Sequence, residues 1–153
     1  MYQLFIANKN YSSWSLRPWL LMTELDIEFT EQLVSFDGPD NLQKFRKFAP
    51  NGKVPCLHHQ DGADTLVIWE SLAIVEYLAE RHPGVWPSQP AARAYARSAA
   101  SEMHAGFTTL RSSCPMSVGV RMQMTNPPAG LKTDLFRLTE LWQQGLTQFG
   151  GPF

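Results

Sequence analysis

The chain has 153 residues, enough for one ordinary domain or two small ones, and its 44% hydrophobic and 18% charged residues are typical of a soluble globular protein. A formal net charge of −1 gives no electrostatic footprint for nucleic acid or an anionic membrane, so neither is expected as a partner. No apolar run approaches the roughly 20 residues of a membrane-spanning helix. The first residues enter a strand pattern with no basic segment before them, which predicts a cytoplasmic location.

The hydrophobic pattern of the first eighty or so residues predicts four strands and three helices in the order β-α-β-α-β-β-α. The strands are predicted over Tyr2–Ile6 and residues 27–36, 54–59 and 65–69. The first helix follows a polar loop and must have Pro18 in its first turn. The second is short and lies between the turn at 37–40 and Pro50, and the third runs from Leu72 to about His82. This order describes a small α/β sandwich with a mixed four-stranded sheet.

The composition changes at residues 83–90, where three prolines predict a stiff linker between a first domain, 1–82, and a second, 91–153. The second domain carries no strand signal. An Ala-rich helix is predicted over 91–110. A last helix is predicted from a stripe formed by Leu131, Leu135, Leu138 and Trp142.

The two cysteines, Cys56 and Cys114, lie in different segments, with no Cys-x-x-Cys pair and no cluster of cysteine and histidine. This spacing argues against a disulfide scaffold, a zinc site and a dithiol redox centre. His58 and His59 also lack the partner spacing of a metal site, so no metal is expected. Cys56 alternates with Val54 along a strand and is interpreted as a small core residue.

Two short motifs together indicate a site for a peptide-like ligand. Val54-Pro55 lies inside an apolar run, where proline cannot donate to a sheet ladder, so this bond is a candidate cis peptide that leaves backbone groups of Val54 free. Glu70-Ser71 opens the third helix with a carboxylate, a hydroxyl and free helix-terminal N–H groups. Such groups suit a ligand that carries both charges. The alternative is an ordinary helix start, where acids and serines are favoured anyway.

Three stretches carry a resemblance to a known family: NGKVPCL at 51–57, ESLAIVEYL at 70–78 and YSSWSLR at 11–17. On these motifs the chain resembles the cytosolic glutathione S-transferases, and the third stretch is similar to the serine-type motif of zeta-like and related bacterial members. The resemblance implies a thioredoxin-like N-terminal domain followed by an all-helical domain. It also implies glutathione as a co-substrate, a homodimer and no metal.

The resemblance places glutathione along the first domain. Its cysteine backbone would pair with Val54 ahead of Pro55, and its γ-glutamyl end would contact Glu70 and Ser71. Lys53 would either meet the glycine carboxylate of glutathione or remain solvated beside the turn.

The implied chemistry needs the thiolate of glutathione, since a free thiol with a pKa of about 8.5 is mostly protonated at neutral pH. Ser12 matches the first serine of the family motif and is the predicted hydroxyl donor, with Ser13 as the alternative. Both serines could instead simply cap the first helix. Trp14 stands where zeta-class relatives carry cysteine, so thiol exchange has no nucleophile in this loop.

The implied reaction is attack of the glutathione thiolate on a small hydrophobic electrophile, a detoxification chemistry. An apolar electrophile site could be lined by Met103, Phe107, Leu110 and Met116, which helix packing explains equally well. One alternative is zeta-like cis-trans isomerisation of a dicarboxylate, for which Arg17 and Arg111 are the candidate basic groups. The other alternative is a non-catalytic glutathione-binding module.

The glycines at 150 and 151 followed by Pro152 read as a helix stop. In the family that the chain resembles, further helices follow such a stop. We therefore expect the helical domain to be truncated, with the apolar stripe on its last helix incompletely covered.

Overall fold

The computed structural model describes residues 1–36 and 38–151. Asp37, Pro152 and Phe153 lie outside the described residues, and with them the start of the predicted turn at 37–40 and the proline of the predicted helix stop. The chain divides into two compact units, Met1–Val85 and Trp86–Phe153. No helix in the described part of the chain is both long enough and apolar enough to cross a bilayer.

The first unit has the predicted order of strands and helices. Its elements are β1 (Tyr2–Ile6), α1 (Ser13–Glu24), β2 (Phe29–Leu33), α2 (Asn41–Arg46), β3 (Cys56–Asp61), β4 (Asp64–Trp69) and α3 (Ser71–Ala79). The strands form one sheet in the order β2-β1-β3-β4. β1 is parallel to β2 and antiparallel to β3, and β3 is antiparallel to β4. The predicted thioredoxin-like arrangement with a mixed four-stranded sheet is confirmed.

The sheet of the first unit is covered on both faces, since successive side chains of a strand point to opposite sides. On one face the sheet packs with α1 and α3 around the buried residues Leu4, Ile6, Met22, Leu57, Ile74 and Leu78. On the other face Phe5 stacks on Phe48 with ring centroids 4.5 Å apart, and Phe45 of α2 lies 5.6 Å from Phe48. These two layers fix the loops at the ends of the strands.

The start of α1 differs from the prediction. The helix begins at Ser13, so Pro18 lies inside it and past its first turn. Ser12 caps the helix by accepting a hydrogen bond from the backbone N–H of Ser15, which moves the start toward the N-terminus. The side chain of Pro18 is fully buried. Because proline has no backbone N–H, the helix lacks one hydrogen-bond donor at this position.

Three strands also differ from their predicted bounds. β2 spans Phe29–Leu33 rather than 27–36, because only the five residues of β1 are available to pair with it. β3 begins at Cys56 rather than at Val54. β3 and β4 extend to Asp61 and Asp64, which shortens the predicted hairpin loop to Gly62 and Ala63.

The second unit contains α4 (Pro90–Ala105), α5 (Thr108–Ser113) and α6 (Ala129–Phe149) in its described part. The single helix predicted over 91–110 is therefore two helices. The break falls at Gly106 and Phe107, where Phe107 has a left-handed φ of 56° that no α-helix can continue. Residues 114–128 form neither helix nor strand.

Hydrogen bonds join the three helices of the second unit. The backbone N–H of Leu110 donates to Asp134 Oδ2 at 2.9 Å, which ties α5 to α6. Arg137 of α6 donates to both carboxylate oxygens of Glu102 on α4, at 2.6 and 2.9 Å. The hydroxyl of Tyr95 on α4 donates to the carbonyl oxygen of Leu141 at 2.5 Å.

The apolar stripe of α6 is only partly covered. Leu131 and Leu141 are buried, and Leu138 is half-buried. Leu135 and Trp142 are 45% and 66% exposed. The expectation of uncovered apolar side chains on this helix is confirmed at these two positions.

Candidate functional site

A pocket of about 220 Å³ lies in the first unit beside the Val54–Pro55 bond. It is lined by Trp14, Asn51, Lys53, Val54, Pro55 and Glu70. The fold thus brings together the first turn of α1, the loop before β3 and the junction between β4 and α3. Four of the five residues predicted to contact glutathione meet at this pocket, and the fifth, Ser71, directly follows Glu70.

The loop before β3 has the predicted geometry at its proline. The Val54–Pro55 peptide bond is cis. Pro55 is buried, whereas Val54 is half-buried and lies outside the sheet pairing, which begins at Cys56. The side chain of Asn51 accepts a hydrogen bond from the backbone N–H of Lys53 at 3.0 Å and so shapes the turn. Val54 therefore lies at the pocket, and its backbone is not part of the hydrogen-bonded sheet.

Gly52 is required by the shape of this loop. Its φ of 65° lies in the left-handed region. A Cβ at this position would collide with the side chain of Leu42 on α2 and approach Arg46 Cγ to 3.3 Å. A larger residue would therefore be strained at this φ and would displace the Leu42 side chain.

Glu70 occupies an unusual backbone conformation at the edge of the pocket. It is the N-cap of α3, with φ 73° and ψ 129°, and its side chain is exposed. A positive φ is uncommon outside glycine, and residues held in such conformations cluster at functional sites. At Glu70 the chain changes direction between β4 and α3, and the Glu70 carboxylate lies beside the pocket.

Ser71 presents a buried hydroxyl that the described part of the protein does not satisfy. It is the first residue of α3 and only 2% exposed, and its Oγ has no hydrogen-bond partner among the described residues. A buried hydroxyl without a partner costs free energy, and most buried polar groups in proteins are paired. An acceptor or donor supplied by a ligand at the start of α3 would satisfy it.

The two predicted thiol-stabilising serines do not line the pocket. Ser12 is the N-cap of α1: its Oγ accepts from the N–H of Ser15 at 3.3 Å and lies 2.9 Å from Ser15 Oγ. Ser13 is half-buried, and its hydroxyl has no hydrogen-bond partner among the described residues. Both stand beside Trp14, which does line the pocket.

Trp14 and Asn51 line the pocket although the sequence did not identify them as binding residues. The Arg17 guanidinium lies 4.2 Å from the centroid of the Trp14 ring, one helical turn along α1. Both pocket residues belong to the motifs that predicted the site, at 11–17 and 51–57. Trp14 is next to Ser13, and Asn51 is two residues before Lys53, so their closeness in sequence to predicted site residues was the signal that could have identified them.

Cys56 is a core residue, and His58 and His59 make hydrogen bonds within the fold. Burial raises the pKa of Cys56 to about 12, and the side chain is fully buried, which confirms it as a core residue. His58 Nε2 lies 2.7 Å from the carbonyl oxygen of Phe48, and His59 Nδ1 lies 2.6 Å from Tyr77 Oη. The described residues contain no group of three or more side chains arranged to hold a metal ion.

Residues proposed for substrate recognition in the second unit also have structural roles. Arg111 Nη1 donates to the carbonyl oxygens of Met103 and His104 at 3.0 and 2.8 Å, which satisfies the end of α4. Phe107, predicted as a possible wall of an electrophile site, is 6% exposed.

Comparisons with known proteins agree with the fold. The family described as "Glutathione S-transferase, N-terminal domain" matches residues 11–81. A probable maleylacetoacetate isomerase from Caenorhabditis elegans is 36% identical over 103 residues, which are 65% of this chain and 45% of that protein. Glutathione S-transferase GstB of Escherichia coli K12 is 34% identical over 91 residues, 58% of this chain and 43% of that protein. The chain thus spans less than half the length of either of these relatives.

A solved structure extends the likeness to the helical unit. The theta class glutathione S-transferase of the citrus canker pathogen Xanthomonas axonopodis pv. citri, solved with glutathione bound, superimposes with a TM-score of 0.64 at 28% identity. The match covers 96% of this chain and 70% of that one. Residues 11–81 form a glutathione S-transferase N-terminal domain, and the fold of the chain is that of glutathione S-transferases.

Proposed function

We propose that this protein is a glutathione transferase that adds the thiolate of bound glutathione to a small hydrophobic electrophile, with detoxification as its role. The observation that carries the proposal is the pocket formed by Lys53, Val54, Pro55 and Glu70, next to the unsatisfied buried hydroxyl of Ser71. These groups match the charges and the backbone of a γ-glutamyl tripeptide. The glutathione-bound relative from Xanthomonas has the same fold.

In this proposal glutathione binds as an extended peptide. Its γ-glutamyl ammonium faces Glu70, and its γ-glutamyl carboxylate accepts from the Ser71 hydroxyl and from backbone N–H groups of the first turn of α3. The cysteinyl backbone pairs with Val54, and Lys53 attracts the glycine carboxylate. The pocket thereby fixes the sulfur relative to the start of α1, which orients the nucleophile.

The reaction needs a group that stabilises the thiolate. We propose Ser12 for this role, with Ser13 as the alternative, because both hydroxyls lie at the N-terminus of α1 beside the pocket residue Trp14. The partial positive charge of a helix N-terminus favours an anion there. The thiolate electron pair forms a bond from the glutathione sulfur to the electrophilic carbon. In a substitution, as with an aryl halide, the halide leaves with the electron pair of its bond to that carbon; in an addition to a double bond, the displaced π electron pair takes up a proton from water. No metal is needed for this step.

A second candidate is glutathione-dependent cis-trans isomerisation, since one relative is named a probable maleylacetoacetate isomerase. Of its two candidate basic residues, Arg17 stacks on Trp14 at the pocket, whereas Arg111 is hydrogen-bonded to the end of α4. A non-catalytic glutathione-binding module is the third candidate. Turnover of a generic aryl halide with glutathione supports conjugation, turnover of a maleyl substrate without net consumption of glutathione supports isomerisation, and binding without either supports the module.

We further propose a division into residues 1–82, a linker at 83–90 and a helical domain at 91–153, with the protein acting as a homodimer in the cytoplasm. Large exposed apolar side chains on α6, such as Phe136 and Trp142, are the kind of surface that association covers. Cys114 is a free and exposed thiol, which suits a reducing compartment. Analytical ultracentrifugation tests the dimer directly.

A further inference from the structure

The hydroxyl of Ser15 lies at the centre of a small buried hydrogen-bond network in the first unit. Its side chain is fully buried. Ser15 Oγ lies 3.1 Å from the backbone nitrogen of Ala7, just after β1, and 2.9 Å from Ser12 Oγ. The Ser15 nitrogen also lies 3.3 Å from Ser12 Oγ. Ser12 and Ser15 both lie in the motif at 11–17, but that motif assigns no role to Ser15.

The directions of these bonds follow from counting donors and acceptors. The Ala7 N–H can only donate, so Ser15 Oγ accepts there. The Ser15 proton then needs an acceptor, and Ser12 Oγ is the one within hydrogen-bond distance among the described residues. If Ser12 donated to Ser15 instead, the Ser15 proton would be buried without an acceptor, which is costly. Ser12 is half-buried, so its own proton can reach solvent or a ligand.

We infer that Ser15 is a positioning residue that donates its hydroxyl proton to Ser12 and thereby leaves the Ser12 proton directed at the sulfur of bound glutathione. This inference rests on the proposed glutathione-dependent function. When the Ser15 hydroxyl donates across the 2.9 Å contact between the two Oγ atoms, Ser12 Oγ accepts from both the N–H and the O–H of Ser15, so its two lone pairs are occupied. Its remaining capacity is to donate one hydrogen bond, which is what a thiolate requires. Accepting two bonds also polarises the Ser12 hydroxyl and strengthens that donation.

The test follows the ionisation of the glutathione thiol itself. Glutathione labelled with carbon-13 at the cysteinyl Cβ is bound to the full chain, and its chemical shift is recorded against pH. Ser15→Ala is expected to raise the thiol pKa of bound glutathione by about half a unit to one unit, the scale of one hydrogen bond. The affinity for glutathione should change by less than about twofold, since Ser15 does not touch the ligand. Thr23→Val is the control, because Thr23 Oγ1 donates to the Trp19 carbonyl on the exposed part of the same helix.

A double-mutant comparison separates positioning from a general structural effect. In a Ser12→Ala background, Ser15→Ala should cause no further shift of the thiol pKa, because its effect passes through Ser12. Ser15→Cys, which keeps the branching of the side chain but is a weak donor, should also raise the thiol pKa and serves if the alanine variant does not fold.

The possible outcomes distinguish the role of Ser15 from the proposed glutathione-dependent function. A thiol pKa that is lowered in the unmodified chain and unchanged by Ser15→Ala or Ser15→Cys overturns the role of Ser15 but not the proposed function. A shift that persists in the Ser12→Ala background also overturns it. If the unmodified chain does not bind glutathione or does not lower its thiol pKa, both the proposed function and this inference fall.

Discussion

Lys53 and Glu70 line the same pocket, so one cavity of the first unit presents a cationic and an anionic side chain. They come from different elements, the loop before β3 and the start of α3. A ligand that meets both side chains carries one anionic and one cationic group. Glutathione has a carboxylate at its glycine end and an ammonium at its γ-glutamyl end, so this relationship orients the peptide along the pocket.

Glu70→Gln should weaken glutathione binding, because it removes the charge opposite the ligand ammonium while keeping the shape of the side chain. A charge-assisted hydrogen bond contributes about 1.5–3 kcal/mol, which corresponds to roughly a 10- to 150-fold loss of affinity. Titration calorimetry measures it. A glutathione analogue that lacks the amino group should bind both forms equally. Glu28→Gln, an exposed glutamate outside the pocket, is the matched control. If Glu70→Gln weakened binding of glutathione and of the analogue equally, Glu70 would not interact with the ligand ammonium.

Ser71→Ala has effects of opposite sign on the ligand-free and ligand-bound protein. The Ser71 hydroxyl is buried without a partner among the described residues, so its removal should leave the free energy of unfolding of the ligand-free chain unchanged or slightly higher. Glutathione affinity should fall by roughly 10- to 150-fold, because a hydrogen bond to a charged carboxylate contributes about 1.5–3 kcal/mol. Denaturant unfolding with and without glutathione measures both effects. A loss of ligand-free stability with unchanged affinity would make the hydroxyl purely structural.

The sequence predicted the architecture of the first unit because its strands and helices have clear periods and its motifs lie at their junctions. It could not predict that α4 ends at Ala105, because Gly106 and the left-handed Phe107 interrupt a pattern that continues through Leu110. Pro18 misled the prediction of the α1 start, since the burial of its ring is a tertiary feature that the spacing of residues does not show.

The candidate site was predictable to the extent that residues belong to local motifs. Val54, Pro55 and Glu70 were identified in this way and line one pocket. The positive φ of Glu70 and the hydrogen bond from Ala7 to the buried Ser15 hydroxyl depend on how the strands and helices pack. Neither can be read from the spacing of residues along the chain.

Ser12→Ala should raise the thiol pKa of bound glutathione by about one to two units, because a donor to a charged sulfur contributes roughly 1.5–3 kcal/mol. Binding of glutathione should be nearly unchanged, since the contacts of the γ-glutamyl and glycine ends remain. The pH profile of conjugation to an aryl halide reports this pKa. If Ser13→Ala abolishes activity while Ser12→Ala does not, Ser13 is the thiol donor.

The ion pair between Glu102 and Arg137 should make stability depend on acid pH. The hydrogen bonds from Arg137 hold the pKa of the Glu102 carboxyl below its ordinary value of 4.5. A carboxyl with a lowered folded-state pKa stabilises the fold above its unfolded pKa, and this contribution is lost as the pH falls through its folded pKa. Both side chains are more than one third exposed, so the effect is small and weakens in high salt.

Denaturant unfolding between neutral and acid pH measures this dependence. Glu102→Gln and Arg137→Gln should each flatten the acid limb of the stability profile to the same extent, because each removes one partner of the pair. An acid limb that is unchanged in both variants would show that the pair does not contribute to stability.

The measurement that tests the account most directly is the titration of the cysteinyl thiol of glutathione in the presence of the full chain. We predict saturable binding that Glu70→Gln weakens, together with a thiol pKa below the value of about 8.5 for a free thiol. Such a result would show that the charged residues of the pocket bind glutathione and that the bound thiol is stabilised as a thiolate. Glutathione that does not bind, or that binds with the thiol pKa of the free peptide, would contradict the assignment of this pocket as a thiolate-forming glutathione site.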